Sequence, residues 1–203
     1  MRFLVSLMAA VLALGVSGLG SVSPALAREM LAPRVDYVAS YRLDPDGETM
    51  RMAHHGGKIR METTAEGQTA VILMDPAAQQ ILMLLQGMAM RMDMRRPMPG
   101  GASFKDGAAG LATDVAVEPQ PLGTKVIAGL TCTVYEAVCE SSSGAPVHSR
   151  VCLTEDRVLL ESVSQDRGKP FVLTATAVEI GPQDPALFAL PPGVQVMDMP
   201  SMP

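Results

Sequence analysis

Apolar and polar residues alternate along most of the chain with a period of two, the mark of half-buried strands. In 35–43, VDYVASYRL, the residues Val35, Tyr37, Ala39, Tyr41 and Leu43 fall on one face. A DPDG turn, with Pro early and Gly late, leads into ETMRMAHH (48–55). KIRMETT (58–64) sets Lys58, Arg60 and Glu62 opposite Ile59, Met61 and Thr63, and TAVILMD (69–75) is β-branched and apolar. The turn PAAQQ precedes ILMLLQ (81–86). The pattern resumes in 123–129, 131–138, 147–154, 157–164 and 171–180, with the polar stretches ESSSGAP and SQDRGKP as turns between strands. This spacing predicts hairpin meanders and a mainly β fold with little helix. PQDPALF (182–188) has room for one short helical turn, and ALPPGVQV ends the fold. Residues 95–112, RRPMPGGASFKDGAAGLA, are dense in Gly and Pro and have no period, so they read as a long loop or movable flap.

One stretch raises a chemical question: GMAMRMDMRRPM, 87–98. In a strand, residues two apart share a face, so Met88, Met90, Met92 and Met94 form a row with Ala89, Arg91 and Asp93 opposite. Leu82 and Leu84 extend that row upstream, with Gln86 as a polar interruption. Three readings are open. The row packs a core with Arg91 and Asp93 in water. Or it lines a cavity for an acyl chain or another apolar ligand, since methionine surfaces repack around varied shapes. Or its thioethers, with Met197, Met199 and Met202 of the C-terminal segment, hold Cu(I), for which thioether sulfur is a soft, selective ligand. Adjacent His54 and His55 would be helpers for that ion, but the sequence ties neither to the row.

The N-terminus changes the picture of where the chain works. Arg2 is followed by the apolar run 3–16 and then by small residues ending in SPALA, with Ala25 and Ala27 in a small-x-small cleavage pattern. This predicts a secretory signal peptide over 1–27, too short in its apolar part for a span of about 20 residues. The expected organisation is then a single β-rich domain over 28–196 and a flexible tail over 197–203. Loss of Arg2 leaves 15 Lys+Arg against 21 Asp+Glu, a net charge of −6. An acidic chain with no Trp, four Phe and three Tyr lacks the basic patch and stacking platform of a nucleic-acid binder. No later segment is long and apolar enough to span a membrane.

The three cysteines are Cys132, Cys139 and Cys152. Export to an oxidising space favours a disulfide and leaves one thiol over. If ESSSGAP closes a hairpin, Val147 pairs near Cys139, Val134 pairs near Cys152, and Cys132 lies diagonal to Cys152. A Cys132–Cys152 bond then needs a local bulge or strong twist, because the diagonal is long for the bond. Three unpaired thiols remain the alternative. The sequence has no G-x-S-x-G elbow, phosphate loop or H-E-x-x-H motif, and its carboxylates sit mainly in turns or on polar strand faces. Nothing sets a nucleophile beside its base, so a non-enzymatic protein is expected, with no resident cofactor and no metal site built from Cys, His or carboxylates.

The order of GKIRMET, VILMD, IAGLTCTVYE, RVCLTEDRVLLES and PQDPALFALPPG after the signal peptide resembles exported proteins of Gram-negative bacteria related to the lipoprotein-localisation carriers LolA and LolB. The resemblance covers roughly 35–195, and its closing phrase is Asp184-Pro185, Phe188 and Pro191-Pro192-Gly193. It implies a curved, incomplete antiparallel β-barrel, a half-barrel around an apolar face, and it favours the Cys132–Cys152 pairing. It also implies a periplasmic protein. An acyl chain, lipid or lipidated partner would bind its concave face through Leu82, Leu84, Met88, Met90, Met92 and Met94, with 95–112 as the rim. The chain departs from the carriers in its scarcity of aromatics. Copper handling by the methionines, or a scaffold that binds proteins through strand edges, are the competing functions, and the oligomeric state is left open.

Overall fold

The computed structural model describes residues 32–65, 67–94, 116–140, 146–166 and 169–198. The expected signal peptide, the loop at 95–112 and the residues after Asp198 lie outside the described residues.

The strands follow the alternation closely. They are β1 (Tyr37–Asp44), β2 (Glu48–His55), β3 (Lys58–Ala65), β4 (Gln68–Asp75), β5 (Gln80–Leu85), β6 (Met88–Asp93), β7 (Ala116–Ile127), β8 (Leu130–Glu140), β9 (Pro146–Leu153), β10 (Leu159–Asp166), β11 (Lys169–Ile180) and β12 (Gln195–Asp198). A 3-10 turn, Pro185–Phe188, sits where the sequence allows one helical turn, capped by the Asp184 carboxylate, which accepts from the Ala186 N–H. Met197 and Asp198 correct the expected tail. They belong to β12, which pairs parallel to β6 and places Met197 beside Met90.

All twelve strands form one open sheet in the order β12-β6-β5-β4-β3-β2-β1-β11-β10-β9-β8-β7. Two antiparallel meanders, β1–β6 and β7–β11, meet where β1 pairs with β11. A flat sheet of this size would be about 50 Å wide at 4.8 Å per strand, and sheets beyond about ten strands curl. Bulges sharpen the bend. One lies between β1 and β11, where Thr176 is the extra residue and its hydroxyl donates to the Ser40 carbonyl. Another lies between β10 and β9, where Leu160 is extra. The Tyr41 hydroxyl spans from β1 to the second bulge and donates to the Leu159 carbonyl at 2.8 Å. Burial holds the Tyr41 hydroxyl's pKa well above its ordinary value, so it stays a donor.

The two faces differ. One carries the core: Tyr37, Ala39 and Tyr41 of β1, Met50 and Met52 of β2, Met61 of β3, Met74 of β4, Ile81 of β5 and Met92 of β6 continue through Ala175, Leu173 and Val151. The other carries ion pairs, among them Lys58–Asp75 at 3.1 Å and Arg60–Glu62 at 2.6 Å. The connection 181–194 crosses this second face. Arg60 Nη1 donates to the Leu187 carbonyl at 2.9 Å, and the Phe188 ring tilts against His55. Buried Ala53, Leu73, Ala89 and Phe188 share this strapped side.

The cysteine register is as the sequence predicts. Cys139 pairs with Val147 and Val134 with Cys152. Cys132 and Cys152 form a disulfide with their Cα atoms 5.4 Å apart, shorter than the ordinary diagonal of about 7–8 Å. The bulge at Leu160 immediately adjoins the pair Glu161–Cys152. Lys125, opposite Cys132, reaches across the disulfide to Glu161 in an ion pair, and both cysteines are buried.

Two variants test this frame. Tyr41→Phe strands the Leu159 carbonyl in the interior and is expected to cost about 1–3 kcal/mol, read as a lower urea midpoint at unchanged slope. Cys132→Ala with Cys152→Ala reopens the loop in the unfolded chain and is expected to cost about 3 kcal/mol in the same measurement.

Candidate functional site

The register lays out the inner face of the first meander as three cross-strand rows. The middle row runs Ala39, Met52, Met61, Ile72, Met83, Met90, Met197 over β1 to β6 and β12. Beside it run Tyr37, His54, Ile59, Met74, Ile81 and Met92. On the other side Leu85 pairs with Met88, which pairs with Gln195. Burial falls along these rows. Met52, Met61 and Met74 are buried, Met83 and Met90 are half-buried, and Leu85, Met88 and Met197 are exposed at 38%, 47% and 48%. A continuous apolar surface therefore leaves the core between β3 and β4 and emerges at the β5–β6 hairpin and β12.

The six residues expected to line one row divide in three ways. Met92 is buried in the core and Met94 packs partly against it. Met88 and Met90 lie at the open end. Leu82 and Leu84 do not belong to the row: they pair with Arg91 and Ala89 and point to the strapped face. The cause is the two-residue turn Gln86-Gly87, with φ of 51° and 80°, the positive pair that a tight hairpin needs. A two-residue turn pairs even positions with odd ones, so the face carried by Leu82 and Leu84 continues as Ala89 and Arg91. The expected row treats 82–94 as one strand. The turn was legible only weakly, because Gln-Gly is a poorer hairpin signal than Asn-Gly. Met83, Leu85 and Met197 are the neighbours that this reading missed.

The two histidines latch the chain ahead of β1. His54 Nδ1 donates to the Val35 carbonyl at 2.8 Å while its ring stacks on Tyr37. His55 Nδ1 donates to the Asp36 carboxylate at 2.6 Å, and the Gly56 N–H adds a second bond to it. The His55 bond, with Gly56 assisting, holds the Asp36 carboxyl below its ordinary pKa against the opposing effect of burial. Among the described residues no three of His, Cys, Asp and Glu converge as metal ligands, and no helix is long and apolar enough to cross a membrane. A shallow, mainly polar depression of about 250 Å³ on the ion-pair face is lined by Ser40, Thr49, Met50, Arg51, Glu62, Thr64 and Thr69. It offers no apolar enclosure.

This open sheet, apolar within and strapped without, has relatives among solved structures. The structure of the hypothetical protein CT021 from Chlamydia trachomatis matches with a TM-score of 0.51 and 13% identity, over 81% of this chain and 95% of that one. The LolA superfamily protein NE2245 from Nitrosomonas europaea matches with a TM-score of 0.42 and 13% identity, over 81% and 94%. The Pseudomonas aeruginosa MucA/MucB complex gives 0.45 and 16%, over 85% of this chain and 62% of that chain. This chain thus spans less than two thirds of its MucB match. No protein-family model and no curated protein matches the sequence. The half-barrel implied by the sequence motifs is the fold observed.

Asp36 provides a pH test of the latch. A carboxylate with a lowered folded pKa stabilises the fold above its unfolded pKa of about 3.9 and loses that contribution as pH falls through the folded value. Wild type is therefore expected to exceed Asp36→Asn in urea midpoint near neutral pH. The gap should close as pH falls below the folded value; a gap that persists in acid would assign the effect to packing.

Proposed function

We propose that this is an exported, periplasmic, non-enzymatic binding protein. It takes an acyl chain, a lipid or a lipidated partner on the inner face of the half-barrel. The observation that carries the reading is the graded apolar surface: exposed Leu85 and Met88 paired on β5 and β6, and exposed Met197 on β12 in the neighbouring row with half-buried Met83 and Met90. A surface for a flexible hydrocarbon needs area and adaptability, and unbranched methionine supplies both. The signal-peptide pattern at 1–27 supports export. The fold supports the ligand class only by likeness, so the binding claim rests on the face itself. The binding set is Met88 and Met90, with Met83, Leu85 and Met197 added; Met92 and Met94 form its floor, and Leu82 and Leu84 stabilise the sheet from behind.

Native mass spectrometry of the mature protein from a periplasm, without added ligand, is expected to show a mass excess matching a phospholipid or acyl chain. The triple variant Leu85→Ser, Met88→Ser, Met197→Ser alters exposed positions and should fold normally yet lose that excess. Equal capture by folded wild type and variant would remove this face from the function.

A further inference from the structure

We infer that Met83, Met90 and Met197 form a Cu(I) site. The register sets the three directly opposite one another on adjacent strands β5, β6 and β12. Adjacent strands lie about 4.8 Å apart, and each methionine has three rotatable bonds before its methyl. The two outer thioethers can lean over the central Met90 from either side. Met197 is 48% exposed and Met83 and Met90 are half-buried, so an ion reaches the row from solvent while two ligands are held by packing. Met88 lies two residues from Met90 on the same face as a spare donor.

A second observation separates this row from general core packing. Among the described residues every methionine lies on β2 to β6, directly after β6, or on β12. Between Met98 and Met197 the chain has none, and β7 to β11 bury Val, Leu, Ala and Cys instead. Both meanders bury an apolar face in the same sheet, so burial alone does not call for sulfur on one side. The soft thioether is the property that branched aliphatics lack, and it selects Cu(I) over hard cations. The described histidines offer no competing pair. His54 and His55 sit on opposite faces of β2, three strands from β5, and His148 faces Glu136 in another part of the sheet.

The site binds through neutral sulfur, so no proton leaves on binding and affinity holds at pH values where a histidine ligand would be protonated. The test is anaerobic competition for Cu(I) between the mature protein and bicinchoninate, in a Cys139→Ser background so that the odd thiol cannot hold the ion. Retention of Cu(I) at about pH 7 and equally near pH 5 is expected. Met83→Leu, Met90→Leu, Met197→Leu preserves volume and apolar area. It should lower Cu(I) affinity by at least roughly tenfold, the loss that outer-shell changes alone produce at metal sites. The Leu variant is read by Cu(I) affinity and the Ser variant of the preceding section by bound-ligand mass, so each reading fails separately. Equal Cu(I) retention by the Leu variant, loss of binding with Cys139→Ser alone, or release near pH 5 would each overturn the assignment.

Discussion

The structure depends on the seam between β1 and β11. Each meander could pair its own strands through short hairpins, but only this seam makes them one sheet. It is a contact of high sequence separation, and closing it costs loop entropy that local hairpins do not. The seam is held by more than its ladder. Tyr41 extends past β11 to donate to Leu159 on β10, 118 residues away, and the bond ends beside the bulge that bends the second meander. A buried hydroxyl needs a partner and a carbonyl near a bulge has lost its regular one. The bond satisfies both and fixes the curvature at the place where the halves join.

Curvature then decides what each face can do. The connection from β11 to β12 must cross the sheet to bring β12 beside β6, and it takes the ion-pair face. Arg60 and His55 hold it there through Leu187 and Phe188. Ala53, Leu73 and Ala89 are buried on that same face. The crossing also delivers Met197 to the inner face at the sheet's edge. One segment therefore crosses the back of the first meander and completes the front.

The sequence was most legible where the period was two and the turns were rich in Gly, Pro or Asp. Every alternating segment of 35–86 became a strand, and the cysteine register followed from one hairpin assumption that proved right, Val134 opposite Cys152. Legibility failed where the pattern did not encode direction. Leu82, Leu84 and the Met88–Met94 stripe are all apolar at even positions, so nothing in their spacing shows that Gln86-Gly87 turns the chain and swaps the faces. β12 was invisible for a related reason. Its partner is β6, about a hundred residues earlier, and a four-residue edge strand of Gln, Val, Met and Asp has too short a pattern to register. Met197 was recognised as a sulfur donor but not as the neighbour of Met90.

The concentration of methionine on β2 to β6 and β12 bears on why the two halves differ. A core of branched aliphatic side chains, chiefly Leu, with a disulfide, as in β7 to β11, repacks less readily than one of unbranched methionine. Such a core suits the half that must hold shape. A face of thioethers and unbranched chains loses some of that definition and gains the ability to repack, which suits the half that ends in exposed Leu85, Met88 and Met197. The seam at β1–β11 separates the two regimes. Rearrangement at the open end need not reach the disulfide, because Tyr41 and its bulge lie between them. The same division explains why hydrocarbon capture and sulfur ligation both point to β5, β6 and β12: each needs side chains that move on a backbone that does not.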